Sequence, residues 1–139
     1  MKSSLVGRLI AIALGGTFAV IFGVSPASAA SGVTYIYSGD GDTLRAVFYE
    51  HADFTGAQLK YYGGSACTST TADADYSRGV VPNGWNDVIS AVRDYNGCDV
   101  KLYMDGPFAG RSTGYVNYGS VGRYVGYDFN DKTSSFRIS

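Results

Sequence analysis

The sequence is poor in helix formers and in the residues that build most catalytic centres. It has one glutamate, Glu50, one histidine, His51, one tryptophan, Trp85, and two cysteines, Cys67 and Cys98. After position 30 its only leucines are Leu44, Leu59 and Leu102. Two cysteines and one histidine are too few for a zinc site of ordinary spacing. Glu50 and the aspartates form no recognisable acid–base pair. No serine–histidine–aspartate arrangement can be argued around His51, so an enzyme is not expected. There is no cluster of basic residues, which makes nucleic acid a poor partner. Only one long apolar run exists, over residues 9–24.

That run reads as a targeting segment. Lys2 and Arg8 give a positive start, Ser25-Pro26 breaks the run, and Ala27-Ser28-Ala29-Ala30 follows. This is the layout of a secretory signal, with cleavage expected after Ala29 or Ala30. The run is short for a spanning helix, which needs about 20 residues. The expectation is a secreted, extracellular protein without a membrane partner. Residues 31–139 are the length of one domain. Without Lys2 and Arg8, nine basic residues face twelve acidic ones, net −3. A monomer is expected. Export also decides how the cysteines read. An oxidising compartment favours a Cys67–Cys98 disulfide over two buried thiols or a metal pair. Closing a loop of about 30 residues stabilises by a few kcal/mol in the chain-entropy model.

What is plentiful is tyrosine, valine, threonine and glycine, in short apolar runs cut by turn residues. That composition suits strands. Strands are expected over 33–37, 44–50, 57–62, 88–95, 100–104, 114–118 and 134–138. Alternation is clearest in Ser135-Phe136-Arg137-Ile138, where Phe136 and Ile138 share one face. Pro82-Asn83-Gly84 reads as a turn, with a single helical turn at Trp85. The informative feature is an internal repeat. Tyr49-Glu50-His51-Ala52-Asp53-Phe54-Thr55-Gly56 matches Tyr103-Met104-Asp105-Gly106-Pro107-Phe108-Ala109-Gly110 at the Tyr, the Phe and the Gly. Further on, Trp85-Asn86-Asp87-Val88-Ile89-Ser90-Ala91-Val92-Arg93 matches Phe129-Asn130-Asp131-Lys132-Thr133-Ser134-Ser135-Phe136-Arg137. The first half carries an insertion near 68–78, rich in Ser, Thr, Ala and Asp, which reads as a loop. Each half therefore looks like a unit of about four strands, and two such units packed face to face give an all-β sandwich.

The Tyr-to-Gly stretches resemble the signature of a βγ-crystallin Greek key. Gly110-Arg111-Ser112 fits the Gly-x-Ser ending of that family, and Gly56-Ala57-Gln58 departs from it at the last position. A glycine at such a β corner suits a positive φ. The later segments resemble the family's calcium signature, two Asn/Asp residues, two variable ones, then Ser/Thr and Ser. Asn130-Asp131-Lys132-Thr133-Ser134-Ser135 fits throughout. Asn86-Asp87-Val88-Ile89-Ser90-Ala91 fits except at Ala91. The resemblance covers residues 44–139, as motif one over about 44–97 and motif two over about 98–139. Residues 31–43 are left as an extension or an extra strand.

The residues suit that chemistry on their own account. Calcium takes six to eight oxygens at about 2.3–2.6 Å. Asp131 and Ser134, three apart at a strand entrance, are expected to turn toward one ion, and Asp87 and Ser90 likewise. The resemblance implies that each site is completed by main chain from the other motif, near Glu50 and near Asp105. With about one carboxylate per site, affinity should be modest. The same residues also suit Asx or Ser turns that cap strand entries without an ion.

The expected function is a secreted calcium-binding module with a structural or stress-related role. The chain is also similar to a crystallin-like family of bacterial metalloproteinase inhibitors. That implies an extracellular protease as partner and an exposed loop, taken as 68–78, in its cleft. A third expectation is a small toxin acting on competing cells. Ser38-Gly39-Asp40-Gly41-Asp42 is too short for a calcium loop of the helix–loop–helix kind. The tyrosines, Tyr124 and Tyr127 among them, are expected as core and cross-strand pairs, or else as a sugar- or protein-binding face.

Overall fold

The computed structural model describes residues 34–38, by their backbone, and residues 41–82 and 84–139. The expected signal segment, residues 1–30, and Asn83 of the expected turn lie outside the described residues, as do Gly39 and Asp40.

Nine strands form two sheets. The first half supplies β1 (Thr34–Ser38), β2 (Thr43–Tyr49), β3 (Gln58–Gly63), β4 (Tyr76–Arg78) and β5 (Ala91–Asp94). The second supplies β6 (Val100–Asp105), β7 (Ala109–Ser112), β8 (Arg123–Tyr124) and β9 (Ser135–Ile138). One sheet runs β1-β3-β2-β5-β8 and the other β4-β9-β6-β7. Strand alternation dictates the inner faces. Phe48, Leu59, Tyr61, Val92, Val100, Leu102, Phe136 and Ile138 are all buried in one core, with Trp85 and Ile89 at its end. Aromatic edges meet there: Phe48 packs on Phe136 at 4.5 Å and Tyr61 on Phe136 at 4.8 Å between centroids.

The sandwich is not two self-contained units face to face. With β1 set aside as an addition to the first half, the third strand of each half crosses to the other half's sheet: β4 pairs with β9, and β8 pairs with β5. The crossings are fastened alike, by Val81 N–H to Ser134 O (2.9 Å) and Val125 N–H to Ser90 O (3.0 Å). The halves are thereby interlocked, and each one's entrance to its last strand is built partly by the other.

The repeat also fixes two matching hairpins. Phe54 and Phe108 stand at φ 65° and 55°, and Gly56 and Gly110 at 78° and 70°. A Cβ on Gly56 would come 2.7 Å from the Glu50 carboxylate, and one on Gly110 would collide with the Asp105 carboxylate. Arg93 lies 4.6 Å over the Phe54 ring and Arg137 lies 4.4 Å over that of Phe108. These cation–aromatic contacts pin the folded hairpin onto the outer sheet face.

Several expectations on strands need correction. Residues 114–118 form no strand; they contribute one bridge, Val100 to Val116. The partner of β6 is β7, which starts five residues earlier and is exposed throughout, so no alternation marks it. Residues 76–78, read as loop, form β4. Strand β8 has only two residues, too few for a periodic signal. The strand expected from Val88 begins at Ala91, because the chain turns at Asp87 with φ 58°. No helix occurs among the described residues, and at Trp85 a turn closes with Trp85 N–H to Pro82 O. Strand β1 adds to the edge of the first sheet, parallel to β3.

Cys67 and Cys98 are joined in a disulfide with Cα atoms 5.0 Å apart. It tethers the 68–78 insertion at its root. Thr68 N–H donates to the Asp75 carboxylate at 2.8 Å. The buried Arg45 donates to Ser65 O and Asp75 O. The Ser139 hydroxyl lies against Thr70 O (2.6 Å) and Asp73 O (2.5 Å). Residues 68–73 are exposed, yet their backbone is held from both ends.

Candidate metal centre

The segment joining each half's third and fourth strands carries the Asn-Asp pair. In both, the aspartate takes a left-handed backbone, φ 58° at Asp87 and 55° at Asp131. Asp and Asn tolerate that region better than most residues. The turn leaves both aspartates exposed and brings the following serine back into the sheet. Ser90 N–H donates to Tyr49 O (2.9 Å) and Ser134 N–H to Tyr103 O (3.0 Å). Each asparagine orients its neighbour: Asn86 Nδ2 donates to Asp87 Oδ2 at 2.7 Å, and Asn130 Nδ2 to Asp131 Oδ2 at 2.8 Å.

The acidic and hydroxyl groups do not pair within one segment. Spacing predicts Asp131 beside Ser134, but the Ser90 hydroxyl donates to Asp131 Oδ1 at 2.8 Å, across 41 residues of sequence. The cause is the interlock. Asp131 N–H donates to Ile89 O and Asp87 N–H to Thr133 O, both at 3.2 Å, so each turn is laid on the other half's segment. Val88 O lies 3.5 Å from the same Ser90 hydroxyl. A carboxylate oxygen and a carbonyl oxygen thus both lie within 3.5 Å of one hydroxyl. Their residues share a cleft of about 410 Å³ with Glu50, His51, Ala52, Asp87 and Asn130. Two oxygens bound to one calcium at 2.3–2.6 Å, and at roughly right angles or a little less, lie about 2.8–3.5 Å apart. The separations about Ser90 match that spacing.

The other candidate residues are placed as follows. Glu50 lines the cleft, but its carboxylate accepts Ala57 N–H at 2.8 Å within its own hairpin. That bond engages one carboxylate oxygen, which leaves the other and the main-chain carbonyl as its oxygens for a cation. Asp105 is engaged inside the second hairpin: its carbonyl accepts the Ser135 hydroxyl at 2.7 Å, and its carboxylate covers Gly110. Ser134 is partly buried, and no bond from its hydroxyl to Asp87 appears among the described residues. The second mouth is thus less closed than the first. The last serine of the signature has a clear task. Ser135 accepts Phe108 N–H at 3.0 Å while donating to Asp105 O, so it locks the hairpin and is not turned toward a cation. Ala91 at the matching place lacks that lock, and there Phe54 N–H bonds His51 O instead.

The spacing argument missed the Val88 carbonyl and the rim residues His51 and Ala52. A carbonyl leaves no mark in a sequence, since every residue has one. Among the described residues, no three His, Cys, Asp or Glu side chains gather as they would to hold a metal ion, so a cation here would depend on hydroxyl, main-chain and water oxygens beside a carboxylate. Elsewhere, Asp94 is a buried carboxylate, raised above the ordinary value by desolvation, and it caps a turn by accepting Tyr118 N–H and Gly119 N–H. Both oxygens are used there, which makes it a structural group.

The sequence matches no protein-family model and no curated protein. Solved structures do resemble it. One, from work on the evolution of the eye lens βγ-crystallin domain fold, is 20% identical with a TM-score of 0.52, covering 74% of this chain and 92% of its own. A βγ-crystallin domain from Clostridium beijerinckii is 20% identical with a TM-score of 0.47, covering 68% and 95%. One from Flavobacterium johnsoniae is 25% identical with a TM-score of 0.45, covering 68% and 92%. The first of these likenesses, with the two sheets and exchanged third strands described above, identifies the architecture: this chain has the βγ-crystallin fold.

Proposed function

We propose that this chain is a secreted calcium-binding module in which the ion braces the joint between its two halves. The observation that carries this reading is the Ser90–Asp131 contact at 2.8 Å, with Val88 O beside it. Asp87 and Asp131 both line the cleft, and their negative charge favours cations there. The oxygens suit a hard ion: a carboxylate, a hydroxyl and main-chain carbonyls from Val88 and Glu50, with water for the rest. Calcium would supply the positive charge. Ser90 and Asp131 would hold it, and Asn86 and Asn130 would aim the carboxylates. So few charged ligands place the affinity at the weak, extracellular end of the range. That matches a stabilising role better than a signalling one. Asp87 and Ser134 would form the second, looser site.

Calorimetric titration of the purified protein with calcium tests the reading, together with thermal melting. A heat of binding and a raised melting temperature are expected. A flat titration with an unmoved melting curve at millimolar calcium would overturn it.

A second reading rests on a different observation. Residues 68–73 are exposed and yet anchored by the disulfide, Asp75, Arg45 and Ser139. A loop held in this way loses little freedom on docking, which suits an inhibitor of an extracellular metalloprotease. A panel of thermolysin-like proteases is the test, and undiminished proteolysis at micromolar protein would remove this reading for that class.

A further inference from the structure

Exposed large apolar side chains are concentrated along one stretch of the chain. Among the described residues they are Val80, Val121, Tyr124 and Tyr127, and three of the four fall within seven consecutive positions. Tyr127 is 91% exposed and Val121 83%. The Tyr124 and Tyr127 rings meet edge to face, 6.2 Å between centroids and 89° between planes. They form a right-angled aromatic corner open to solvent. The corner is held in place. Tyr124 pairs with Ala91 at the edge of the first sheet, Val125 N–H is bonded to Ser90 O, and Asn130 N–H to Gly126 O. Isolated exposed apolar residues need no explanation, but a grouped and fixed set does.

We propose that this corner binds an uncharged polysaccharide, with one sugar ring laid on the open face of Tyr127. A pyranose has one face of C–H groups and a rim of hydroxyls. The negative face of an aromatic ring attracts polarised C–H groups, and the rim needs hydrogen-bond partners. The phenolic hydroxyls supply some. The Arg111–Asp128 pair supplies more: it closes at 2.7 Å, is about two-thirds exposed, and Asp128 follows Tyr127 directly. Arg111 and Asp128 offset each other, so the pair adds hydrogen-bond partners beside Tyr127 without adding net charge. Size separates a glycan from a protein partner. The two tyrosines can bury at most about 500 Å², whereas a stable protein interface needs roughly 800 Å² per partner. A chain of repeating sugars needs only one or two ring contacts at a time.

The test is retention of the purified protein on particles of chitin, cellulose and β-1,3-glucan at high salt, with phosphatidylserine vesicles alongside. Retention on at least one polysaccharide is expected. Tyr127→Ala should weaken it about tenfold and Tyr127→Trp should preserve it, with melting temperatures unchanged because the side chain is exposed. Three results would overturn the proposal: no retention on any of the polysaccharides, retention of Tyr127→Ala equal to wild type, or binding to the vesicles alone.

Discussion

Ser90 and Asp131 stand 41 residues apart in the chain, and the hydroxyl of one donates to the carboxylate of the other at 2.8 Å. The contact crosses between the halves, so anything that strengthens it strengthens their docking. Binding to the folded form alone adds about 2.7 kcal/mol at a hundredfold excess over Kd. For a domain of this size that is roughly 10 °C in Tm. Asp131→Asn removes the charge while keeping a residue that tolerates φ near 55°. The calcium-dependent rise should fall by at least half in this variant, and a chelator should lower the wild-type Tm to the variant's level. Equal rises in both proteins would show that Asp131 is not a ligand.

The hairpin lock is a second point of attack. Ser135→Ala leaves Phe108 N–H and Asp105 O without their shared hydroxyl. Stranding buried polar groups costs about 1–3 kcal/mol. Urea denaturation should show a loss of that size, and the reverse change, Ala91→Ser, should gain a smaller amount by supplying the missing hydroxyl to the first hairpin. A Ser135→Ala midpoint equal to wild type would remove the lock from the argument.

Thr133 is fully buried and its hydroxyl has no partner among the described residues. The matching residue in the first half is Ile89, equally buried. Thr133→Val keeps the shape and removes the unsatisfied group, so stability should rise by about 1 kcal/mol. The urea midpoint measures it, and a loss of stability would mean that the hydroxyl has a partner in solution.

Tyr118 gives a pH dependence. Burial pushes its phenol up from 10.0 to about 12, against a smaller lowering by Thr113. Between those values the folded protein keeps a proton that the unfolded chain gives up. The folded state then binds more protons, so stability falls as pH rises through that window. The full contribution is present below about pH 10, and up to about 3 kcal/mol is lost by pH 12. Tyr118→Phe should flatten this part of the urea stability–pH profile. An unchanged slope would assign the alkaline loss to other tyrosines.

Much of the architecture is legible in the sequence because it is written twice. The Tyr, Phe and Gly of each hairpin and the Asn-Asp pair of each turn carry local conformational demands. Phe54 and Phe108, Gly56 and Gly110, and Asp87 and Asp131 all share positive φ in matching pairs. Strands with one buried face show their alternation, as β9 does. The short exposed strands β7 and β8 do not, since nothing in their pattern separates them from loop.

The sequence by itself determined the two hairpins, the Asn-Asp turns and the pool of oxygen-bearing residues, because each depends on the conformational preferences of a few neighbours. Which oxygens meet was decided only in three dimensions. Asp131 joins Ser90 and not Ser134 because β4 and β8 change sheets, and strand exchange is a matter of long-range packing that no local spacing encodes. The tyrosine corner is of the same kind: its residues are plain in the sequence, but Tyr124 sits on β8, the last strand of its sheet, and that the Tyr127 ring meets it while staying open to solvent is seen only in three dimensions.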